Sequence, residues 1–271
     1  MARISVFLIA TMFIGCNMAQ QGHQAGKSAG NFKPLESDSR VSYEPRAEDI
    51  ARSVASFLPE SIATIERELH GPFVKAVQVK IFESADNFAA STGVSKQEWG
   101  VMMSGTVYLS GVVKTAPGDH IKALLTHELV HLYFQQKLLA AKRPPTLPMW
   151  FEEGLAEFVS GGSAMVMVSE QDAIRAILAG NHFFSDAAGR LEHPERCKYG
   201  VESHMFYRQA EMFVAYLQSL EGTKFRSLIL ALADGDDFDI SWQSHLGIPL
   251  HDAWRQFTGD LESHGKDPMK K

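Results

Sequence analysis

The stretch His127-Glu128-Leu129-Val130-His131 carries the strongest signal for both fold and chemistry in this chain of 271 residues. On a helix, residues four apart lie on one face, so the two histidines could bind the same metal ion. Glu128 stands beside the first of them, where a carboxylate can act as a base on water at that ion. Apolar residues from Leu124 to Phe134 predict a buried helix, which Pro117-Gly118-Asp119 would begin. The alternative is a buried helix whose two histidines are only hydrogen-bonded in the core.

A second helix, predicted from Met149 to Val159, offers candidates for a third ligand. It follows a proline-rich connection at residues 141–148 and would end before Gly161-Gly162. A hydrolytic zinc site needs three protein ligands and one open position. Glu152 and Glu153 are adjacent and point about 100° apart, so they cannot both face one ion. A ligand at Glu153 would have Glu157 on the same face one turn later, where a carboxylate can support a ligating histidine.

The two segments together, His127-Glu128-x-x-His131 and Trp150-x-x-Glu153-Gly154-x-Ala156-Glu157, resemble the gluzincin metallopeptidases. That family includes thermolysin-like, aminopeptidase-N-like and small bacterial peptidase MA-like enzymes. The resemblance implies one zinc ion as cofactor, with Glu153 as its third ligand and Glu157 as the supporting acid; Glu152 stays the alternative ligand. It extends over residues 77–257 and is strongest over 127–157.

The same resemblance assigns a role to Tyr207 in a helix predicted over 202–220. A tyrosine of the family helix points at the oxyanion, and a phenol can donate a hydrogen bond to charge that develops in the transition state. Tyr199 and His204 are lesser candidates, and simple packing of Tyr207 is the alternative. The resemblance also makes residues 106–109 the edge strand of the sheet, with which a substrate peptide could pair.

The implied reaction is hydrolysis of peptide bonds in a peptide or protein substrate by a zinc-activated water, with Glu128 as general base. Two other interpretations stay open: a catalytically silent zinc-binding lipoprotein that serves as a binding or assembly module, and a hydrolase of a cell-wall amide. The choice between endopeptidase and exopeptidase, and the oligomeric state, are not determined by these residues.

The order of predicted elements indicates an α+β fold of the zincin type. A small N-terminal mixed sheet precedes the H-E-x-x-H helix, which is followed by the glutamate-ligand helix and a helical C-terminal subdomain. Before the motif, apolar spacing and alternation predict a helix at 47–70, a strand at 74–82, a helix from Ser84 to Ala90, and strands at 99–103 and 106–109. After it, helices are predicted at 202–220, 224–232, a short one after 236, and 250–257.

The N-terminus has the pattern of a signal peptide, residues 1–19. Arg3 precedes an apolar run from Ile4 to Ile14 that is too short to span a bilayer. Gly15-Cys16 resembles the lipobox of bacterial lipoproteins, whose cysteine carries the lipid, although Phe13 stands where that family prefers leucine. We therefore expect an extracytoplasmic protein anchored by lipid to a bacterial membrane; cleavage near Ala19, which gives a soluble secreted or periplasmic protein, is the alternative.

Composition completes the predicted organisation. Residues 20–42 are rich in Gln, Gly, Ser and Lys and predict a flexible tether, residues 43–262 the catalytic domain, and residues 263–271 a basic tail. The formal net charge is −6 and there is no basic stripe, which argues against binding to nucleic acid. The two cysteines, Cys16 and Cys197, exclude a disulfide framework if the first is acylated or removed.

Overall fold

The computed structural model describes residues 31–143, 147–162, 167–183 and 201–265. The predicted signal peptide with Cys16, and also Tyr199 and Cys197, lie outside these ranges. Within them no helix is both long and apolar enough to cross a membrane. The described residues form a mixed α+β fold, as expected, in which a small sheet comes first and helices dominate the rest of the chain.

The strands and helices are bounded as follows. The strands are β1 (Lys33–Leu35), β2 (Asp38–Tyr43), β3 (Val79–Ile81), β4 (Gly100–Met103) and β5 (Thr106–Leu109). The helices are α1 (Glu48–Glu68), α2 (Ala85–Thr92), α3 (Gly118–Ala140), α4 (Met149–Ser160), α5 (Glu170–Leu178), α6 (Ser203–Leu220), α7 (Gly222–Ala233), α8 (Phe238–Leu246) and α9 (Leu250–Gly265).

The five strands lie in the order β1-β2-β3-β5-β4. The central strands β2, β3 and β5 are parallel, and the outer strands β1 and β4 each pair antiparallel to their neighbour. The expectation that residues 106–109 form the edge is therefore wrong: β5 is paired on both sides and β4 is the edge strand. A two-residue turn at Ser104-Gly105, both with positive φ, folds β4 back along β5 and so carries it to the outside of the sheet.

Ordered structure begins earlier than the sequence pattern predicts. Strand β1 and all of β2 except Tyr43 lie inside the segment 20–42 that was expected to be a tether, so that expectation is wrong for these two strands. Only one face of β2 is buried, through Val41 and Tyr43, and its other residues are polar. Such a strand has too few apolar residues to stand out in the sequence. At the other end, α9 continues to Gly265, past the expected start of the tail at 263.

Helix α3 runs through the centre of the core. It packs against α1, α4 and the sheet, and 14 of its 23 residues are buried. A helix with neighbours on most sides shows no clean apolar stripe, and its polar side chains are removed from water. The polar side chains removed here include those of the H-E-x-x-H motif, so the site lies in the protein interior.

Helix α4 is held close to both α3 and α6. A Cβ atom on Gly154 would lie 2.6 Å from the backbone oxygen of Ala210 in α6, so only glycine allows this approach. The helix ends at Gly161, whose φ of 82° is the left-handed conformation of a helix C-cap. Gly154 thus sets how closely α4 approaches α6, and Gly161 sets where α4 ends. Together they position the carboxylates of this helix.

Candidate metal centre

Two adjacent helices bring three potential ligand atoms together in the core. His127 and His131 come from α3 and Glu153 from α4, and each side chain is at most 2% exposed. The two Nε2 atoms are 3.1 Å apart, and Glu153 Oε2 lies 3.3 Å from the first and 3.6 Å from the second. The structure thus brings together the three ligands predicted from the motifs, in a group that could hold a metal ion.

The outer ring nitrogen of each histidine faces a further carboxylate. Glu157 Oε1 lies 3.0 Å from Nδ1 of His127, as the sequence predicted. Glu152 Oε1 lies 3.2 Å from Nδ1 of His131, and this contact was not foreseen. Glu152 is therefore not in the ligand group, which corrects its place as the alternative ligand. Because each Nδ1 atom faces a carboxylate, the two Nε2 atoms are the ones directed at the possible metal position.

Burial and charge act against each other on the ligand group. Burial lowers the pKa of His127, but hydrogen bonds with Glu153 and Glu157 outweigh it and raise that pKa to about 9. His131 behaves alike: the carboxylates of Glu153 and Glu152 overcome burial and raise its pKa well above the ordinary value. Burial raises the pKa of Glu153, but the two imidazolium groups reverse this and hold it far below the usual range. Without a metal, the site is a buried cluster of opposite charges.

Uptake of a divalent metal ion is expected to release protons at neutral pH. The ion needs neutral imidazoles, whereas a pKa of about 9 keeps His127 protonated in the metal-free protein. Metal affinity is therefore expected to rise with pH up to about 9. The stability of the metal-free protein changes with pH in the opposite direction. The ion pairs of His127 contribute fully below pH 6.5, and their contribution is lost as pH rises through about 9. Calorimetric titrations in two buffers of different ionisation enthalpy measure the release, and its absence at pH 7 would contradict the assignment.

Glu128 lies next to the ligand group on the side of the edge strand. Its side chain is fully buried, and burial raises its pKa above the ordinary value. The two histidines and the backbone N–H of Met102 in β4 offset this effect only in part. A buried carboxylate with a raised pKa is suited to taking up a proton and giving it back.

Tyr207 is placed beside the ligand group by α6. Its ring packs edge-on against His127, with 6.4 Å between the ring centroids, and it is 3% exposed. His204, one turn earlier on the same helix, is also buried. Tyr199, the other lesser candidate, belongs to the residues that the structure does not describe. Tyr207 therefore has a ring contact with a ligand residue.

Comparison with known families agrees with this geometry. The model of a family described as "Peptidase of plants and bacteria" matches residues 38–181, which include strands β2 to β5, the motif helix α3 and the ligand helix α4. No curated protein matches the chain. The family match therefore covers every residue of the ligand group and both supporting carboxylates, whereas Tyr207 lies beyond it.

Proposed function

Because the chain belongs to the peptidase family of plants and bacteria, we propose that it is a zinc-dependent peptidase of the gluzincin type. The observation that carries this proposal is the buried triangle of His127 Nε2, His131 Nε2 and Glu153 Oε2. The direct test is hydrolysis of a peptide mixture by the protein loaded with one equivalent of zinc.

The spacing of the three atoms fits zinc. Tetrahedral coordination with bonds of about 2.0–2.1 Å separates ligand atoms by roughly 3.3–3.4 Å. The three separations here are 3.1, 3.3 and 3.6 Å, so one ion fits between them without movement of either helix. Two imidazoles and one carboxylate form a donor set that zinc uses in hydrolytic sites. Bound there, zinc would act as a Lewis acid that lowers the pKa of water and polarises a carbonyl oxygen.

Glu128 acts as the general base in this proposal. Its buried carboxylate takes the proton from the attacking water and then passes it to the nitrogen of the leaving amine. Burial favours the first of these transfers, because it raises the pKa of Glu128 and so stabilises the neutral carboxylic acid over the carboxylate. A protein that only binds zinc has no need of a base in this position, which argues against the silent binding module.

Tyr207 is proposed to donate its hydroxyl hydrogen to the oxyanion. The Tyr207→Phe variant is therefore expected to lower kcat by about 10- to 100-fold, because a donor to developing charge is lost and little else changes. Zinc content and KM are expected to stay near the wild-type values. Steady-state kinetics with metal analysis of the same samples measure this. A kcat within a factor of two of wild type would leave Tyr207 only its packing role against His127.

Extended peptides are the proposed substrates, because the edge strand β4, which pairs with no further strand in the described part of the chain, runs beside the base. The backbone N–H of Ser110, the residue after β5, donates a hydrogen bond to the backbone oxygen of Trp99. These two residues are therefore a hydrogen-bonded pair, and the next pair along the strands is Gly100 and Leu109. Hydrogen-bonded and non-hydrogen-bonded pairs alternate in antiparallel strands, so the N–H and C=O groups of Gly100 and Met102 point away from β5. The N–H of Met102 is directed to Glu128, so an extended chain could pair by strand addition with the other outward groups, the C=O of Met102 and the N–H and C=O of Gly100. No comparable feature favours a cell-wall amide.

The location outside the cytoplasm remains a proposal that rests on the N-terminal sequence. Gly15-Cys16 after the apolar run from Ile4 to Ile14 supports a lipid anchor at Cys16, which would hold the catalytic domain near a membrane. The Cys16→Ala variant is then expected to appear in the soluble fraction of bacterial cells. Detection of wild-type protein in that fraction, with residues 1–19 removed, would support simple secretion instead.

A further inference from the structure

We propose that Gly100 is a positioning residue for the base: because it has no side chain, Glu128 can lie directly against the edge strand. This inference rests on the proposed function, since it concerns the residue that would move protons there. The missing side chain of Gly100 would act on the reaction through Glu128, whereas its backbone groups belong to the proposed binding edge.

The space above Gly100 is filled by Glu128. A Cβ atom on residue 100 would lie 3.3 Å from Cγ and 3.4 Å from Oε1 of Glu128, and 3.1 Å from Cδ2 of Leu109. Favourable contacts between such atoms begin at about 3.5 Å. A single added methyl group would therefore press on Leu109 and on Cγ of Glu128, next to its carboxylate.

Glycine is required here for space and not for conformation. The φ of Gly100 is not in the positive range, unlike that of Gly105 in the neighbouring turn, so any residue could adopt its backbone. A glycine within a strand also costs conformational entropy and provides no side chain for packing. Alanine would therefore suit the strand better than glycine if Glu128 and Leu109 did not fill the space next to residue 100.

Both neighbours are held in the interior, so the flexible end of Glu128 is where movement is expected. Glu128 and Leu109 are both fully buried, and Glu128 stands on α3 between the two ligand histidines. Helix α3 is fixed by the packing of α1 and α4 against it. The carboxylate is the mobile end of the Glu128 side chain, so it would move away from the strand, which also provides the proposed binding edge for substrate. A displacement of about 1 Å at a catalytic group can lower the rate by about 100-fold.

The first experiment compares Gly100→Ala with wild-type protein, both loaded with zinc. We expect kcat to fall by about 10- to 100-fold, with KM within about threefold and zinc content unchanged. Gly222→Ala is the matched control, because nothing lies within 4 Å of a Cβ atom there and its φ is also not positive. It is expected to keep full activity. An unchanged kcat for Gly100→Ala, or a loss that follows release of zinc, would overturn the proposal.

The second experiment does not depend on activity. The denaturation midpoint of the metal-free protein is measured for Gly100→Ala, Glu128→Ala and the double variant. We expect the midpoint shift caused by Gly100→Ala to be more favourable in the Glu128→Ala background, where one of the two obstructing side chains is gone, than in the presence of Glu128. Equal shifts in both backgrounds would overturn the proposed contact. If the zinc-loaded wild type cleaves no peptide, the proposed function fails, but this comparison still tests the contact.

Discussion

The Glu128→Gln variant is expected to lose about 10²- to 10⁴-fold in kcat for peptide hydrolysis while it still binds one equivalent of zinc. Glutamine has the same shape and keeps the contacts of the buried side chain, but its amide cannot take a proton from water. Because the carboxylate has a raised pKa that comes mainly from burial, its neutral replacement is expected to leave the fold equally stable or slightly more stable.

Glu36→Gln provides the control for that variant, since Glu36 is exposed and lies far from the site on the turn between β1 and β2. It is expected to match wild type in kcat, zinc content and thermal midpoint. Stopped assays with a fluorogenic peptide, together with metal analysis of each preparation, distinguish the outcomes. A zinc-loaded Glu128→Gln protein with wild-type kcat would remove the general base from the mechanism.

Glu153→Gln is expected to have the second large effect. The variant should bind zinc more than about 100-fold more weakly, and it should therefore lose all activity. The substitution replaces the one anionic ligand by a neutral amide, and it leaves two buried histidines without the carboxylate that both face. Wild-type protein is expected to gain about 2.7 kcal/mol of stability in zinc at 100 times its dissociation constant. That gain disappears in the variant over the same zinc range.

The two neighbouring glutamates of α4 give a graded comparison. Glu157 and Glu152 each face the outer nitrogen of one histidine, so Glu157→Gln and Glu152→Gln are expected to weaken zinc binding by only about 10- to 100-fold. Competition of each variant with a chromogenic chelator measures the affinities. If Glu152→Gln loses more zinc affinity than Glu153→Gln, the assignment of ligand and supporting residue must be exchanged.

The ligand group could be predicted from the sequence because its geometry is mostly local. His127 and His131 share a helix face through their spacing, and Glu153 and Glu157 share one on the next helix. Only the meeting of the two helices is long-range, and the small residues around Gly154 indicated a close approach. The contact between Glu152 and His131 could not be predicted in this way, since it depends on the rotation of α4 relative to α3.

The errors in the predicted fold also have a physical origin. The order of β4 and β5 in the sheet depends on which strand meets β3, and two short apolar strands joined by a tight turn look alike in sequence. Strand β2 could not be predicted, because one of its faces is polar and its sequence has only two apolar residues. Helix α5, which begins at a serine cap on the N–H of Asp172, was not predicted, because nine residues are too few for a clear periodic pattern.

The central claim, that this chain hydrolyses peptides through a zinc ion held by His127, His131 and Glu153, is tested most directly by one titration. The purified protein is freed of metal, then supplied with zinc in steps while cleavage of a peptide mixture is followed by mass spectrometry. We predict no cleavage without metal and a linear rise in rate that ends at one zinc ion per chain. Cleavage that persists in the metal-free protein, or none at one equivalent of bound zinc, would contradict the claim.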